Sequence, residues 1–246
     1  MNRETTRKFA LITGAGARVG RAIAVELAQS KFHLFLHYHQ NHHGAEQTLD
    51  LVKKSGGTGE IFQADLGQVQ ECQTLTDKVK ERSQTLHLLV NNASLFYPCA
   101  FSQLDLVAWQ EMFAVNLQAP YLLSHYLLDC LKQDGGLIIN LCDIGTKRPL
   151  KGYSHYTSSK AGLVGLTKSL AVELAPSVRC VGISPGQVAW PEDYTQTQRD
   201  QLSQRIPMKK GGTPEDVATL VRYITLEGHY LNGTIIPVDG GLSCRY

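Results

Sequence analysis

Tyr156 and Lys160 stand four residues apart in the run Tyr156-Thr157-Ser158-Ser159-Lys160. On a helix that spacing puts both side chains on one face. An ammonium beside a phenol favours the phenolate and lowers the phenol's pKa. The pair therefore predicts a tyrosine usable as an acid near neutral pH.

A second cluster lies near the start of the chain. Thr13-Gly14-Ala15-Gly16-Ala17-Arg18-Val19-Gly20 follows an apolar run and opens a helical pattern. Glycines in that place let the backbone turn tightly and approach a pyrophosphate, and the following helix offers free N–H groups to it. Dinucleotide domains that prefer a free ribose 2′-hydroxyl set an acid after the second strand. Here the stretch reads His37-Tyr38-His39-Gln40-Asn41, with no acid. Arg18 has a fork of donors suited to a 2′-phosphate. The expected cofactor is NADPH, with Arg18 as its main anchor unless that side chain is only a solvated charge. His37, His39, His42 and His43 crowd the same region, but no acid or cysteine joins them, so no metal site is expected.

These two clusters need a frame. Short apolar runs suited to buried strands fall at Phe9–Thr13, His33–Tyr38, Glu60–Gln63, Leu86–Asn91, Gly136–Cys142, Arg179–Ser184 and Thr234–Pro237. Helical patterns lie between them, including Arg21–Ser30, Ser154–Ala175 and Pro214–Leu226, the last with Thr213 as N-cap and Pro214 at its first position. The alternation predicts an α/β fold: a Rossmann-type, doubly wound parallel sheet of about seven strands with helices on both faces, in one domain over 1–246. Two irregular stretches, Ser94–Phe101 and Gly186–Gln198, follow strands. Both should lie at the carboxyl edge of the sheet, where ligands bind, the second as a candidate lid.

Composition agrees with a soluble globular protein. Among 246 residues, 43% are hydrophobic and 19% charged, and the net charge of +2 is too small to suggest a nucleic-acid or membrane partner. No apolar run approaches the ~20 residues needed to span a bilayer. Met1–Lys8 is polar and has no apolar core of a secretory signal. Cys72, Cys99, Cys130, Cys142, Cys180 and Cys244 form no C-x-x-C pair, so free thiols in a reducing, cytoplasmic setting are expected.

With these pieces in order, the sequence resembles the short-chain dehydrogenase/reductase family from about Lys8 to Leu242. The matching motifs are the Thr13–Gly20 loop, Asp65-Leu66, Asn91-Asn92-Ala93, Asn116, Tyr156-x-x-x-Lys160, Pro185-Gly186 and Asp239-Gly240-Gly241. The resemblance implies that Gly14, Val19 and Gly20 meet the cofactor, and Asp65 and Leu66 its adenine. It implies that Asn92 and Ala93 flank a ribose, and that Lys160 holds the nicotinamide ribose. Asn116 would support a water-mediated proton path, and Pro185, Gly186 and Val188 would line the nicotinamide. Asn92 and Asn116 also read as buried, hydrogen-bonded asparagines.

One place departs from the family. Most members carry a serine about a dozen residues before the tyrosine, donating a hydrogen bond to a substrate carbonyl. Here that place holds Asp143. An ionised carboxylate accepts hydrogen bonds and donates none. It suits a ring N–H or amino group better than a developing alkoxide. The same residue also reads as a helix-cap or turn aspartate.

That swap resembles the pteridine reductase branch of the family. So do Arg18 in the glycine loop, His37-Tyr38-His39, Asn91-Asn92-Ala93-Ser94-Leu95-Phe96-Tyr97-Pro98 and Pro149-Leu150-x-Gly152-Tyr153-x-x-Tyr156. The branch implies a pterin ring held between the nicotinamide and Phe96. Ser94 and Arg18 would bond the ring edge or the cofactor phosphates, and Asp143 with Tyr156 would handle the proton. Tyr153 and Trp190 would line or cap the pocket, although Phe96 and Trp190 also read as packing residues. Gln40 departs from the branch's basic residue, which leaves the 2′-phosphate to Arg18, with His39 and Asn41 assisting.

The expected activity is reduction of a dihydropterin C=N bond, with dihydrofolate as a further substrate. The alternatives are an NADPH-dependent carbonyl reductase, such as a 3-oxoacyl-thioester reductase, and a non-catalytic NADPH-sensing protein. A homotetramer is expected from the resemblance, with Leu117–Leu131 and Ser154–Ala175 as candidate interface helices.

Overall fold

The computed structural model describes residues 7–103, 105–190 and 194–245. Its frame is one seven-stranded sheet. The strands are β1 (Phe9–Ile12), β2 (His33–Tyr38), β3 (Thr58–Gln63), β4 (Leu88–Asn91), β5 (Leu137–Leu141), β6 (Arg179–Pro185) and β7 (Ile235–Val238). Their order is β3-β2-β1-β4-β5-β6-β7, and every pairing is parallel. The helices are α1 (Arg18–Gln29), α2 (His42–Lys54), α3 (Val69–Arg82), α4 (Leu106–Phe113), α5 (Ala119–Tyr126), α6 (Leu128–Lys132), α7 (Ser154–Glu173), α8 (Gln196–Ser203) and α9 (Pro214–Leu226). A π-helical turn, Ala114–Gln118, joins α4 to α5.

The expected strands all form, with ends shifted by one or two residues. Strand β1 illustrates why they are apolar throughout. Successive side chains point to opposite faces. Ala10 and Ile12 enter a core with Ile23 and Leu27 of α1 and Val217, Val221 and Ile224 of α9. Leu11 enters the other core, with Leu75 and Val79 of α3, Leu123 of α5 and Leu170 of α7. Helices cover both faces, so neither register can be polar.

Local chemistry ends the helices where the turns require it. Helix α9 opens as expected after Thr213 with Pro214 at its start, and the structure adds a capping box between Thr213 and Asp216. Helix α8 opens with a second such box, Thr195 with Gln198. It therefore begins inside the stretch expected to be an irregular lid; Pro191, Glu192 and Asp193 of that stretch lie outside the described residues. All six cysteines are free thiols. Among the described residues no helix is long and apolar enough to cross a membrane.

The sheet reverses its order between β1 and β4. At such a switch point the loops leaving two neighbouring strands part in opposite directions and open a crevice at their carboxyl ends. Leu34 and Leu89 are fully buried on opposite faces of the central strands. Replacing either by alanine is expected to lower unfolding free energy by about 2–5 kcal/mol. Urea unfolding measures this, and a loss under about 1 kcal/mol would contradict the packing described.

Candidate active site

A cleft of about 1470 Å³ runs along the carboxyl edge of the sheet. One end is the glycine loop. Gly14 has φ +64, a conformation that glycine adopts without steric cost. The loop is tied to its neighbours from several sides. The Thr13 N–H donates to the Val90 carbonyl at 3.0 Å and the Ala15 N–H to the His37 carbonyl at 2.9 Å. The Asn92 amide donates to the Thr13 and Gly14 carbonyls at 2.8 and 3.1 Å. The Thr13 hydroxyl accepts from the Asn92 and Ala93 N–H groups, both at 2.9 Å. A Cβ on Gly20 would collide with the Gly14 carbonyl. The helix can follow the loop this closely only with glycine there. The N–H groups of the first turn of α1 have no intrahelical acceptor and stand free for an anion.

Gly14, Arg18, Val19, Gly20, His39, Asp65, Leu66, Asn92, Ala93 and Ser94 line this end of the cleft, and Pro185, Gly186 and Val188 line it further along. Three expected cofactor residues are not brought there. Tyr38 is buried and meets His42 edge-on at 5.2 Å. Strand alternation explains it, since His37 and His39 face the cleft and Tyr38 must face away. Asn41 is spent as the N-cap of α2, accepting from the Gly44 N–H at 2.9 Å. Gln40 is exposed outside the cleft. Arg18, at φ +50, extends across the cleft and donates to the Ala189 carbonyl at 2.6 Å.

At the other end, the Tyr156 hydroxyl donates to Asp143 Oδ2 at 2.8 Å. Asp143 Oδ1 accepts from the Gly145 N–H and caps the 3₁₀ turn Ile144–Thr146. The cap and the tyrosine contact, alternatives in the sequence, coexist on two oxygens of one carboxylate. Lys160 is buried and does not bond the phenol. Its Nζ donates to the Leu141 carbonyl at 2.7 Å and lies 5.9 Å from the centre of the Tyr156 ring. Burial pulls the Lys160 pKa down. The Tyr156 pKa moves well above its ordinary value, first through burial and then through the Asp143 charge and hydrogen bond. This reverses the expectation of a lysine-lowered phenol: the nearest charge to the hydroxyl is the carboxylate.

Phe96 forms the wall. Its ring stacks on Tyr153 at 4.6 Å and meets Tyr156 edge-on at 4.8 Å, yet it stays 52% exposed. It is a cleft residue and not a core anchor. The loop carrying it is irregular, as expected, but held. Asn116 is 1% exposed and brackets Leu95: Oδ1 accepts from its N–H at 2.8 Å and Nδ2 donates to its carbonyl at 3.1 Å. Nδ2 also reaches the Ser159 hydroxyl at 3.1 Å. Asn116 therefore does not line the cleft; from the π-helical turn it fixes the loop that presents Ser94 and Phe96. Tyr97 donates to Glu111 at 2.9 Å and the Cys99 N–H to the Gly152 carbonyl at 2.7 Å. Trp190 also stays outside, packed near Gly211 and tilted against Tyr194. Tyr194 is the aromatic from that loop that reaches the cleft.

Sequence reading placed Thr13 and His37 in motifs without giving either a role, and it missed the cations Lys147, Arg148, Lys151, Arg205 and Arg245, which line the cleft together with His37. The cations stand in no short motif and come from three separate segments. His37 is buried, and His42 and His43 lie near Glu46 at 3.5 and 4.0 Å.

The family model described as enoyl-(acyl carrier protein) reductase matches residues 14–243. The chain belongs to the short-chain dehydrogenase/reductase family, whose oxidoreductases use nicotinamide cofactors. Glucose 1-dehydrogenase 2 of Bacillus subtilis (strain 168) is 30% identical over 255 residues, covering 99% of this chain and 97% of that one. Pteridine reductase 1 of Leishmania tarentolae is 30% identical over 285 residues, covering 99% of each. Among solved structures, acetoin dehydrogenase YohF from Salmonella typhimurium superposes with a TM-score of 0.90 at 28% identity over 98% of each chain.

The raised Tyr156 pKa has a measurable sign. The folded tyrosine holds its proton where the unfolded one, near pH 10, begins to lose it. Its contribution to stability is full below about pH 10 and is lost as the pH rises above that. Asp143→Asn removes the neighbouring charge, so Tyr156 should ionise at lower pH. Ultraviolet difference titration against Tyr156→Phe reads the change, and an unmoved or raised transition would refute the assignment.

Proposed function

We propose that this chain is an NADPH-dependent pteridine reductase, reducing a C=N bond of a dihydrobiopterin-like dihydropterin and accepting dihydrofolate. The observation that carries the reading is the Asp143–Tyr156 hydrogen bond beside the Phe96–Tyr153 stack. A flat ring with N–H and amino donors suits an aromatic wall beside a carboxylate acceptor.

The glycine cradle fits a dinucleotide, because Gly14 turns at φ +64 and a side chain at Gly20 would strike the Gly14 carbonyl, so the loop stays bare where a pyrophosphate would approach. Gly14, Val19, Gly20, Asp65, Leu66, Asn92, Ala93, Pro185, Gly186 and Val188 would hold it, and Arg18 and His39 would meet a 2′-phosphate. Bound NADPH supplies the hydride. Tyr156 holds a proton on its hydroxyl, since burial and Asp143 oppose ionisation. Asp143 Oδ2 accepts from an N–H or amino donor on the ring edge, and Tyr156 gives its proton to the nitrogen of the C=N bond as the carbon takes the hydride, with solvent water returning a proton to the phenolate. Lys160, bonded to the Leu141 carbonyl, would orient the nicotinamide ribose. Ser94 would bond the ring edge. The exposed cations Lys147, Arg148, Lys151, Arg205 and Arg245 suit the carboxylates of a folate tail.

A carbonyl reductase, for example of 3-oxoacyl thioesters, is the second reading. The similarity to glucose and acetoin dehydrogenases favours it. Against it stands the missing hydroxyl donor at residue 143. A non-catalytic NADPH sensor is opposed by the intact Tyr156 and Lys160.

NADPH oxidation measured with dihydrobiopterin and an acetoacetyl thioester side by side separates these readings. Turnover of the pterin is expected; turnover of the thioester alone would overturn the proposal, and no turnover of either would favour the sensor. Asp143→Ser should lower kcat/KM for the pterin by about 10²- to 10⁴-fold, the usual span for proton-transfer groups. It should improve activity if the protein is a carbonyl reductase. Phe96→Ala should raise KM by about 2- to 10-fold through lost ring stacking.

The same reading includes a cytoplasmic homotetramer. Free thiols accord with a reducing compartment. An apolar groove of Trp109, Phe113, Ala114, Leu117, Tyr121 and Leu166 accords with a further copy on α4, α5 and α7. A sedimentation run showing only monomer at micromolar concentration would refute the assembly.

A further inference from the structure

His37 is the last residue but one of β2, where the glycine loop passes over it, and it is 2% exposed. Both ring nitrogens are engaged. Nδ1 lies 3.1 Å from the Gly14 N–H, and Nε2 lies 3.0 Å from the Ala64 carbonyl. The first contact needs a bare nitrogen, because the backbone can only donate. The second needs a protonated nitrogen, because a carbonyl can only accept. One tautomer satisfies both: neutral imidazole with its proton on Nε2.

The main chain of the same residue takes the next N–H of the loop, from Ala15, at 2.9 Å. His37 thus captures two consecutive loop N–H groups, one by its ring and one by its carbonyl. Gly14 and Ala15 are turned inward against the sheet. The N–H groups that follow, at the start of α1, are left to face the cleft.

Resting on the dinucleotide reading of this cleft, we propose that His37 is a positioning residue for the cofactor: its neutral Nε2–H tautomer pins Gly14 from below and so sets the affinity of the glycine loop for a pyrophosphate. Both ring nitrogens are committed to main-chain groups of the protein. The ring's effect passes through the direction in which the loop N–H groups point. Protonation would set two N–H groups against each other, and burial holds the ring neutral, with its pKa pulled down to about 4. Asp65 acts weakly against that shift and His39 with it.

Asparagine and glutamine separate the two contacts. The Asn side chain carries its acceptor near the place of Nδ1, and Gln carries its donor near the place of Nε2. His37→Asn should keep the NADPH dissociation constant within about 3-fold of wild type. His37→Gln should weaken it by about 10-fold or more, the scale of one lost hydrogen bond. Each variant loses one buried contact, so their melting temperatures should fall by similar amounts and the split should appear in affinity alone. NADPH fluorescence titration reads the affinity. Nitrogen-detected NMR of the ligand-free protein reads the tautomer, with Nδ1 expected bare and Nε2 protonated from about pH 5 to about pH 8. Equal affinity losses in the two variants, a glutamine variant that binds as wild type, or a proton on Nδ1 would each overturn the proposal. A wild-type protein that binds no dinucleotide would overturn it together with the reading beneath it.

Discussion

Strands β1 and β4 pair in parallel where the sheet reverses its order, and the cleft depends on that pairing. It sets Ile12 opposite Val90 and brings the Thr13 N–H onto the Val90 carbonyl, so the loops leaving both strands share one ladder end. Thr13 and Asn92 then knit the loops together through short hydrogen bonds. The pairing holds because the strands are buried on both faces by two separate cores. A polar residue in the middle of either strand would lose a face. The polar residues therefore gather at the carboxyl ends, where a ligand can reach them.

The site is built from groups with more than one task. Asp143 caps a turn with one oxygen and accepts the Tyr156 hydroxyl hydrogen bond with the other. Asn116 uses both ends of its amide on Leu95 and still reaches Ser159 on α7. Lys160 is anchored to the end of β5. Both carboxylate oxygens of Asp143, both ends of the Asn116 amide and the Lys160 ammonium have partners, which limits how these side chains can turn. Stiffness suits a site whose work is to align a flat ring and a proton donor.

The electrostatics follow from position more than from residue type. Tyr156 and Lys160 share a helical face, but Lys160 meets a carbonyl while the carboxylate of Asp143 meets the hydroxyl. Burial raises the phenol's pKa and lowers the ammonium's, and the carboxylate adds to the first effect. The spacing of a tyrosine and a lysine cannot convey this, since it contains neither the depth of burial nor the third group.

The strands, the glycine loop, the Tyr156 helix and the capped start of α9 were legible in the chain, because each rests on contacts between near neighbours: periodicity, turn chemistry and caps. The same rule of alternation, applied one step further, excludes Tyr38 from the cleft while admitting His37 and His39. Asn116 was legible as a candidate but not as the clasp of the Phe96 loop, because its partners Leu95 and Ser159 lie far from it along the chain. Trp190, read both as a cap and as a packing residue, packs against Tyr194, and it is Tyr194 that lines the cleft. The sequence by itself determined the fold class and the kinds of groups at the sheet's edge. Only the tertiary structure decided which of them meet, because hydrogen bonds between distant segments depend on strand order and on which face each side chain takes.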